Sequence, residues 1–415
     1  SIDDVTPGYY FWNGIDWSRI ATSNRENNSW SILGNTNTDD AINFIGTSDN
    51  QDLVFKRNNI QAGFLKENNT AFGVNSLPLS STGTDNASFG VNAMSSNNSG
   101  RENTAIGQNA LRDNQKGTSN TAVGFNTLLA NTASSNTAIG SSSLVNNTSG
   151  SGNIGVGSLT LNQNTTGGNN TAIGMQSLTK NTTGTNNTAS GLFALFDNTT
   201  GTHNTANGSE SLTFNTSGDY NTAIGTNALY SNTSGYNNTA VGSNALDNVT
   251  TGHNNTAIGY LAKVPFGNGS NQVRVGNTLI AYAGVQVAWD VTSDKRWKNT
   301  IEDSNLGLDF INTLRPVSYF RNNDKTNRIE YGFIAQELKQ ALQSSGVKSK
   351  SIVSEDSEGM LSVRYNDLFS PIVKAIQQQN DEIETLKAEN KTLKLKQQAI
   401  ENEVLEIKKL LLNKD

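Results

Sequence analysis

Asn221-Thr222-Ala223-Ile224-Gly225-Thr226-Asn227-Ala228-Leu229 is one copy of a unit that recurs along the middle of the chain and decides its fold. Its glycine returns at Gly73, Gly90, Gly107, Gly124, Gly140, Gly157, Gly174, Gly191, Gly208, Gly225, Gly242 and Gly259. Every interval is 17 residues except one of 16, between Gly124 and Gly140, and Gly276 carries the register once more. A period of 17 is too short for a pair of helices and matches one coil of a β-solenoid. The unit reads as a short strand, a glycine-marked bend, a second short strand and a polar turn. Asn tolerates the left-handed backbone of such turns and can ladder with its neighbours, while Gly allows the bend. With coils about 4.8 Å apart, the thirteen register points span on the order of 60 Å.

Composition agrees with a polar-surfaced repetitive β structure. The chain has 415 residues, of which 34% are hydrophobic and 16% charged, with 38 glycines, so it is too long for one compact domain. A net charge of −6 argues against nucleic-acid binding, which needs a basic face. With no cysteine, disulfides and thiolate metal sites are excluded. No run approaches the roughly 18–20 apolar residues of a membrane helix, so no membrane insertion is expected. The chain opens at Ser1, without a visible signal peptide, and an upstream tail or anchor component is expected to precede it.

Each coil offers one Ala, one Ile or Val and one Leu to an interior. That is a thin core against the entropy of ordering a whole coil, so the repeat predicts an interface shared between chains. The small-Ile-Gly pattern resembles the head repeats of trimeric autotransporter adhesins, which have a shorter period, and that resemblance implies three chains. Tyr220, Tyr230, Tyr236, Phe193, Phe196, His203 and His253 break the pattern and are candidate contacts for a surface glycan or protein receptor, the alternative being that the stalk is only a spacer. The two histidines lack a carboxylate or a third histidine beside them, so no metal site is expected, and no cofactor either. Glu210, Asp197 and Asp247 are scattered acids rather than a catalytic pair, which argues against glycan hydrolysis. Residues 1–62 leave the register. There Tyr9-Tyr10-Phe11-Trp12-Asn13-Gly14-Ile15-Asp16-Trp17 predicts a hairpin around Asn-Gly, its aromatics serving as core or trimer contact sooner than as a sugar platform. This segment is similar to the short modules that precede solenoid stalks in tail-fibre-like proteins of bacteroidete phages.

After Gly276 the Asn-Thr repeats stop and Lys, Arg and Glu rise. Residues 285–292 alternate like a strand and lead into Ser293-Asp294-Lys295-Arg296-Trp297-Lys298. Leu314-Arg315-Pro316-Val317-Ser318-Tyr319, Tyr331-Gly332-Phe333-Ile334-Ala335-Gln336-Glu337 and Val363-Arg364-Tyr365-Asn366-Asp367-Leu368 follow in order. Together these strings resemble the intramolecular chaperone of endosialidase tailspikes, which is also found in other phage fibres and in a membrane-bound transcription factor. Trp297, where the family prefers Leu, and Asn299, one position early, are departures from its pattern. The resemblance implies cleavage of the Thr292–Ser293 bond by Ser293 as nucleophile and Lys298 as base, a single-turnover serine endopeptidase acting on its own chain. A serine hydroxyl needs a base to take its proton, and lysine is one only when neutral, through desolvation or a nearby cation such as Arg296.

The last segment carries two interleaved series. Ile376, Ile383, Asn390, Gln397, Val404 and Leu411 hold one heptad position; Ile372, Gln379, Leu386, Leu393, Ile400 and Ile407 hold the other. The 3.5-residue spacing predicts a coiled coil, and Ile at both positions favours three strands. The expected plan is mainly β: an N-terminal adaptor over 1–62, a trimeric β-solenoid or β-roll stalk over 63–276, a linker strand over 277–292, a small α+β chaperone and auto-protease domain over 293–370, and a trimeric coiled coil over 371–415. The implied function is a homotrimeric, receptor-binding tail fibre of a virion or phage-like particle, on an extracellular surface. A bacterial cell-surface trimeric adhesin with the same chaperone end is the alternative.

Overall fold

The recurring glycine sets the geometry of the stalk. Gly225 sits at φ +127°, where a side chain is strained, and a Cβ there would lie 2.7 Å from the carbonyl oxygen of Gly242 in the next coil. Backbone therefore stacks on backbone from coil to coil without a side chain between, and each coil repeats the turn of the last. The structure is a computed structural model describing residues 9–12, 14–15, 17–20, 44–287, 289–322, 327–347 and 352–412.

Near the start, β1 (Tyr9–Trp12) and β2 (Trp17–Ile20) pair antiparallel, with Trp12 opposite Trp17 and their rings edge-on at 5.7 Å. This is the hairpin the aromatic run predicts, although Asn13 and Asp16 lie outside the described residues. A 15-stranded sheet follows. It opens with β3 (Leu53–Arg57), β4 (Ile60–Lys66) and β5 (Asn69–Phe72) in antiparallel succession, so the sheet starts ahead of residue 63. From β5 onward every step is parallel and in register: β6 (Asn86–Phe89), then eleven three-residue strands, β7 to β17, from Thr104–Ile106 to Val273–Val275. Each strand pairs with the one a repeat away, as Thr222 with Thr239 and Ile224 with Val241. These are the coils of a β-solenoid.

Two local expectations are corrected. The second strand of each unit does not form: Asn227 and Leu229 both adopt left-handed backbone, at φ 57° and 52°, which no extended strand accommodates. That wall is a run of turns, yet its amides still bond the neighbouring coil, as Leu229 N–H to the Ala245 carbonyl at 2.9 Å. The other correction concerns the core. Ala223 and Leu229 are fully buried, as are their counterparts in nearly every coil, but Ile224 is 43% exposed. A three-residue strand sends its middle side chain one way and its ends the other, so Thr222 and Ile224 face outward together.

Asn fills the space that a larger apolar core would otherwise occupy. Asn187, Asn204, Asn221 and Asn238 form one buried ladder, in which Asn204 takes its backbone N–H and Nδ2 to Asn187 Oδ1 and its Nδ2 also to the Gly218 carbonyl at 2.7 Å. Asn181, Asn198, Asn215 and Asn232 form a second, with Nδ2 to Oδ1 distances of 2.7–2.8 Å between coils. Most buried amides along the stalk are thereby used, as a polar interior requires, while the Oδ1 atoms of Asn97 and Asn232 are left without a partner. In the last coil Arg274 replaces the inward alanine opposite Ala257, and the apolar column ends there.

Residues 285–287 and 289–292 form no strand, so the expected linker strand is absent among the described residues; Ala288 lies outside them. The C-terminal unit joins α1 (Leu308–Thr313), β18 (Val317–Tyr319) paired with β19 (Glu330–Gly332), α2 (Ala335–Ser344) and β20 (Val353–Glu355) paired with β21 (Leu361–Val363). Leu306, Phe310, Leu338, Leu342, Ile352, Val353 and Leu368 make its core. A 44-residue helix, α3 (Phe369–Leu412), closes the chain. Only its first turns pack on that core, through Pro371 and Ala375. No helix among the described residues is long and apolar enough to cross a membrane.

Candidate functional site

Between the last coil and the C-terminal core, a single tight turn positions the predicted pair. Asp294 caps a three-residue 3-10 turn, Lys295–Trp297, by accepting the Arg296 N–H at 2.8 Å. Trp297 N–H bonds the Asp294 carbonyl and Lys298 N–H the Lys295 carbonyl, each at 3.0 Å. The turn folds the segment back on itself, and Lys298 Nζ donates to Ser293 Oγ at 2.7 Å. A residue five positions on reaches its predecessor because a 3-10 turn shortens the path.

Arg296 is not available as the neighbouring cation. Its guanidinium grips Asp294 in a two-pronged pair, Nε to Oδ1 at 3.0 Å and Nη2 to Oδ2 at 2.7 Å. That pair holds the Asp294 carboxyl below the usual carboxylate range and raises Arg296, by side-chain hydrogen bonding in both cases. Ser293 and Lys298 are exposed, and Trp297 is 81% exposed beside them. Among the described residues of the single chain, nothing covers the pair. An ammonium donating to a hydroxyl is the resting arrangement of such a pair; the reverse transfer needs the water excluded.

The three later strings, far apart in sequence, meet in one cluster. Val317 pairs with Gly332 across β18 and β19. Arg315 makes a bidentate ion pair with Glu337 at the start of α2. Tyr365 accepts the Phe333 N–H on its hydroxyl at 3.1 Å and stacks on the Phe333 ring at 6.3 Å. A Cβ on Gly332 would sit 2.3 Å from that same hydroxyl, so glycine is what lets the tyrosine in. Sequence reading placed these strings in order but did not see that they interlock; the Gly-Phe pair beside a later Tyr is the only signal of it. A second contact it missed joins this unit to the stalk: Ser357, in the β20–β21 turn, donates its N–H at 3.1 Å and its hydroxyl at 2.7 Å to the Pro265 carbonyl of the last coil.

The residues flagged along the stalk fall into separate places. His203 stacks on Tyr220 at 4.7 Å and Tyr236 on His253 at 4.6 Å, each ring upon the ring of the next coil. Phe193 packs edge-on against Phe196, and Tyr230 against Phe214. Asp197 is paired with Lys180 at 2.7 Å and Asp247 with Lys263 at 3.0 Å. Glu210 lies two residues beyond its coil's glycine, at φ 58°.

Residues 293–347 match the family described as chaperone of endosialidase, a self-cleaving chaperone segment of the serine-peptidase kind. No curated protein and no solved structure matches the chain. The matched segment begins at Ser293 and runs through the Arg315–Glu337 pair and the whole of α2.

Proposed function

Starting from a chaperone-of-endosialidase segment set directly behind a β-solenoid, we propose that this chain is the protomer of a homotrimeric, receptor-binding tail fibre. The C-terminal segment brings three chains into register, templates the stalk, and then separates itself by cutting Thr292–Ser293. The observation that carries this reading is the family match beginning at Ser293, a short connecting segment after the last coil ends at Val275. The exposed heptad side chains of α3 support three copies: Ile376 is 60% exposed, Ile383 43% and Leu393 61%, with nothing among the described residues covering them. A virion-borne, extracellular setting, with a bacterial surface glycan or protein as the receptor, belongs to the same proposal, and the family match supports the setting.

The chemistry of the cut fits the turn at 293–298. Lys298, once neutral, takes the Ser293 proton, and the hydroxyl oxygen adds to the Thr292 carbonyl carbon. The peptide C–N bond breaks, its nitrogen takes a proton, and water hydrolyses the ester that is left. Exposure of the pair in one chain ties this step to assembly, since packing of further chains is what would remove water from Lys298. Cleavage then makes an assembled fibre kinetically trapped, because the element that aligned it is no longer attached.

Ser293→Ala should convert a two-fragment pattern on a denaturing gel into one full-length band, with trimer mass in solution retained. Fragments that persist in that variant exclude Ser293 as nucleophile. Removal of residues 293–415 should give an insoluble or monomeric stalk; a soluble trimer from that truncation would defeat the chaperone role.

A further inference from the structure

The outward face of the stalk sheet carries two columns of side chains. One runs Thr70, Ala87, Thr104, Thr121, Thr137, and on by repeats to Thr256 and Val273. The other runs Phe72, Phe89, Ile106, Val123, Ile139, and on to Ile258 and Val275. Neither holds a charged residue over thirteen coils. The second is apolar except at Ser190 and Asn207, and its isoleucines stand open: 43% at Ile106, 42% at Ile139, 46% at Ile173, 43% at Ile224 and 49% at Ile258. The stripe is on the order of 60 Å long, far beyond the scattered apolar residues of an ordinary surface.

We infer that this Thr/Ile face is the surface through which the stalks of the fibre pack on one another, and that its occupant is a second copy of the same face. This rests on the trimer reading above and names the surface that reading leaves open. The period argues for a copy. A partner that meets each coil alike must itself repeat every 4.8 Å or so along a common axis, which another solenoid of this chain does and an unrelated globular surface does not. Missing charge argues the same way, since a uniform face that meets itself must carry no like charges. The long helix at the other end of the chain exposes its own apolar seam, an independent element that needs the same remedy. Interior Ala and Leu seal each coil, so the Ile column is spare apolar surface rather than part of the single-chain core.

Ser190 and Asn207 interrupt the stripe on two successive coils. On a covered face they are the weakest part of the interface, and replacing them with isoleucine extends it.

The chain has no cysteine, so introduced thiols report on one position each. Ile224→Cys and, on the polar turn, Ser217→Cys are prepared in the full-length chain, sized by light scattering, and treated with a short bis-maleimide. Trimer mass with chain-to-chain linkage at position 224 and none at 217 is the expected result. Trimer mass with linkage at 217 alone, or with the 224 thiol open to a bulky maleimide, overturns this face while leaving the trimer intact. A monomer at every concentration overturns the trimer reading and this one together. In parallel, Ser190→Ile with Asn207→Ile should raise the melting temperature of the trimer by about 2–4 °C for each kcal/mol of new burial, the scale for a folded unit of about 150–250 residues such as the stalk. An unchanged or lowered melting temperature means the two positions face water and the assignment fails.

Discussion

Gly225 shows how much one residue decides. Its φ of +127° and the 2.7 Å approach of the Gly242 carbonyl leave no room for a methyl group, and the same collision recurs at Gly208 with Gly225 at 2.6 Å. Gly225→Ala should therefore destabilise the stalk by about 1–3 kcal/mol, the range for a strained backbone position. Ser217→Ala, on the exposed turn, should stay within about 0.5 kcal/mol. Guanidinium unfolding followed by circular dichroism separates the two, and equal midpoints would contradict the stacking described. The glycine was legible from its spacing alone. The left-handed leucines were not: Leu229 at φ 52° is an unfavourable choice for its backbone, made tolerable by complete burial, and no propensity points to it.

At the scale of elements, the Thr-Ala-Ile strand is a case where pattern fixes the period and not the parity. The sequence offers Ala, Ile and Leu alike to the interior, yet neighbouring strand residues face opposite ways, so Ala and Ile cannot both point inward. The narrow coil decides between them: Leu229 from the turn wall fills the interior, and only alanine fits beneath the strand. The second strand failed for a related reason, since Asn-Ala-Leu alternates like a strand while two of its three residues turn left-handed. In the C-terminal unit, the strings quoted from sequence did mark the interlocked residues, but their contacts needed the fold. Glu337 is one. Arg315 holds its carboxyl below the ordinary range by hydrogen bonding, so the pair contributes stability above the unfolded-state value, about 4.3, that is lost as pH falls through the lower folded one. Glu337→Gln should change the neutral-pH melting temperature little, because the pair is exposed, and should flatten its decline below about pH 4.3. An acid limb as steep as that of the parent would show that the pair plays no part in it.

For the whole molecule, the stalk is a one-dimensional object whose strands pair only with those of adjacent coils. Removing residues 205–221, one full period, should leave a folded stalk shorter by about 4.8 Å, with melting behaviour close to the parent. Removing 205–212 breaks the register and should abolish the cooperative transition; equal tolerance of both deletions would argue against stacked coils. The architecture and its junction with the C-terminal unit could be read from composition and period. The latch of Ser357 on Pro265 could not, because those residues lie 92 positions apart and neither carries a signal.

The bonds between coils all run along the stalk axis, whereas the chain itself winds around it. A lone stalk pulled by its two ends therefore loads the coils in series, and the outermost gives way first. Each coil that lets go releases 17 residues, about 58 Å of extended chain in place of a 4.8 Å rise, so it lengthens by roughly 50 Å per event. Such a filament yields in small equal steps rather than snapping, a mechanical fuse whose increments are set by the same interval that first gave away the fold.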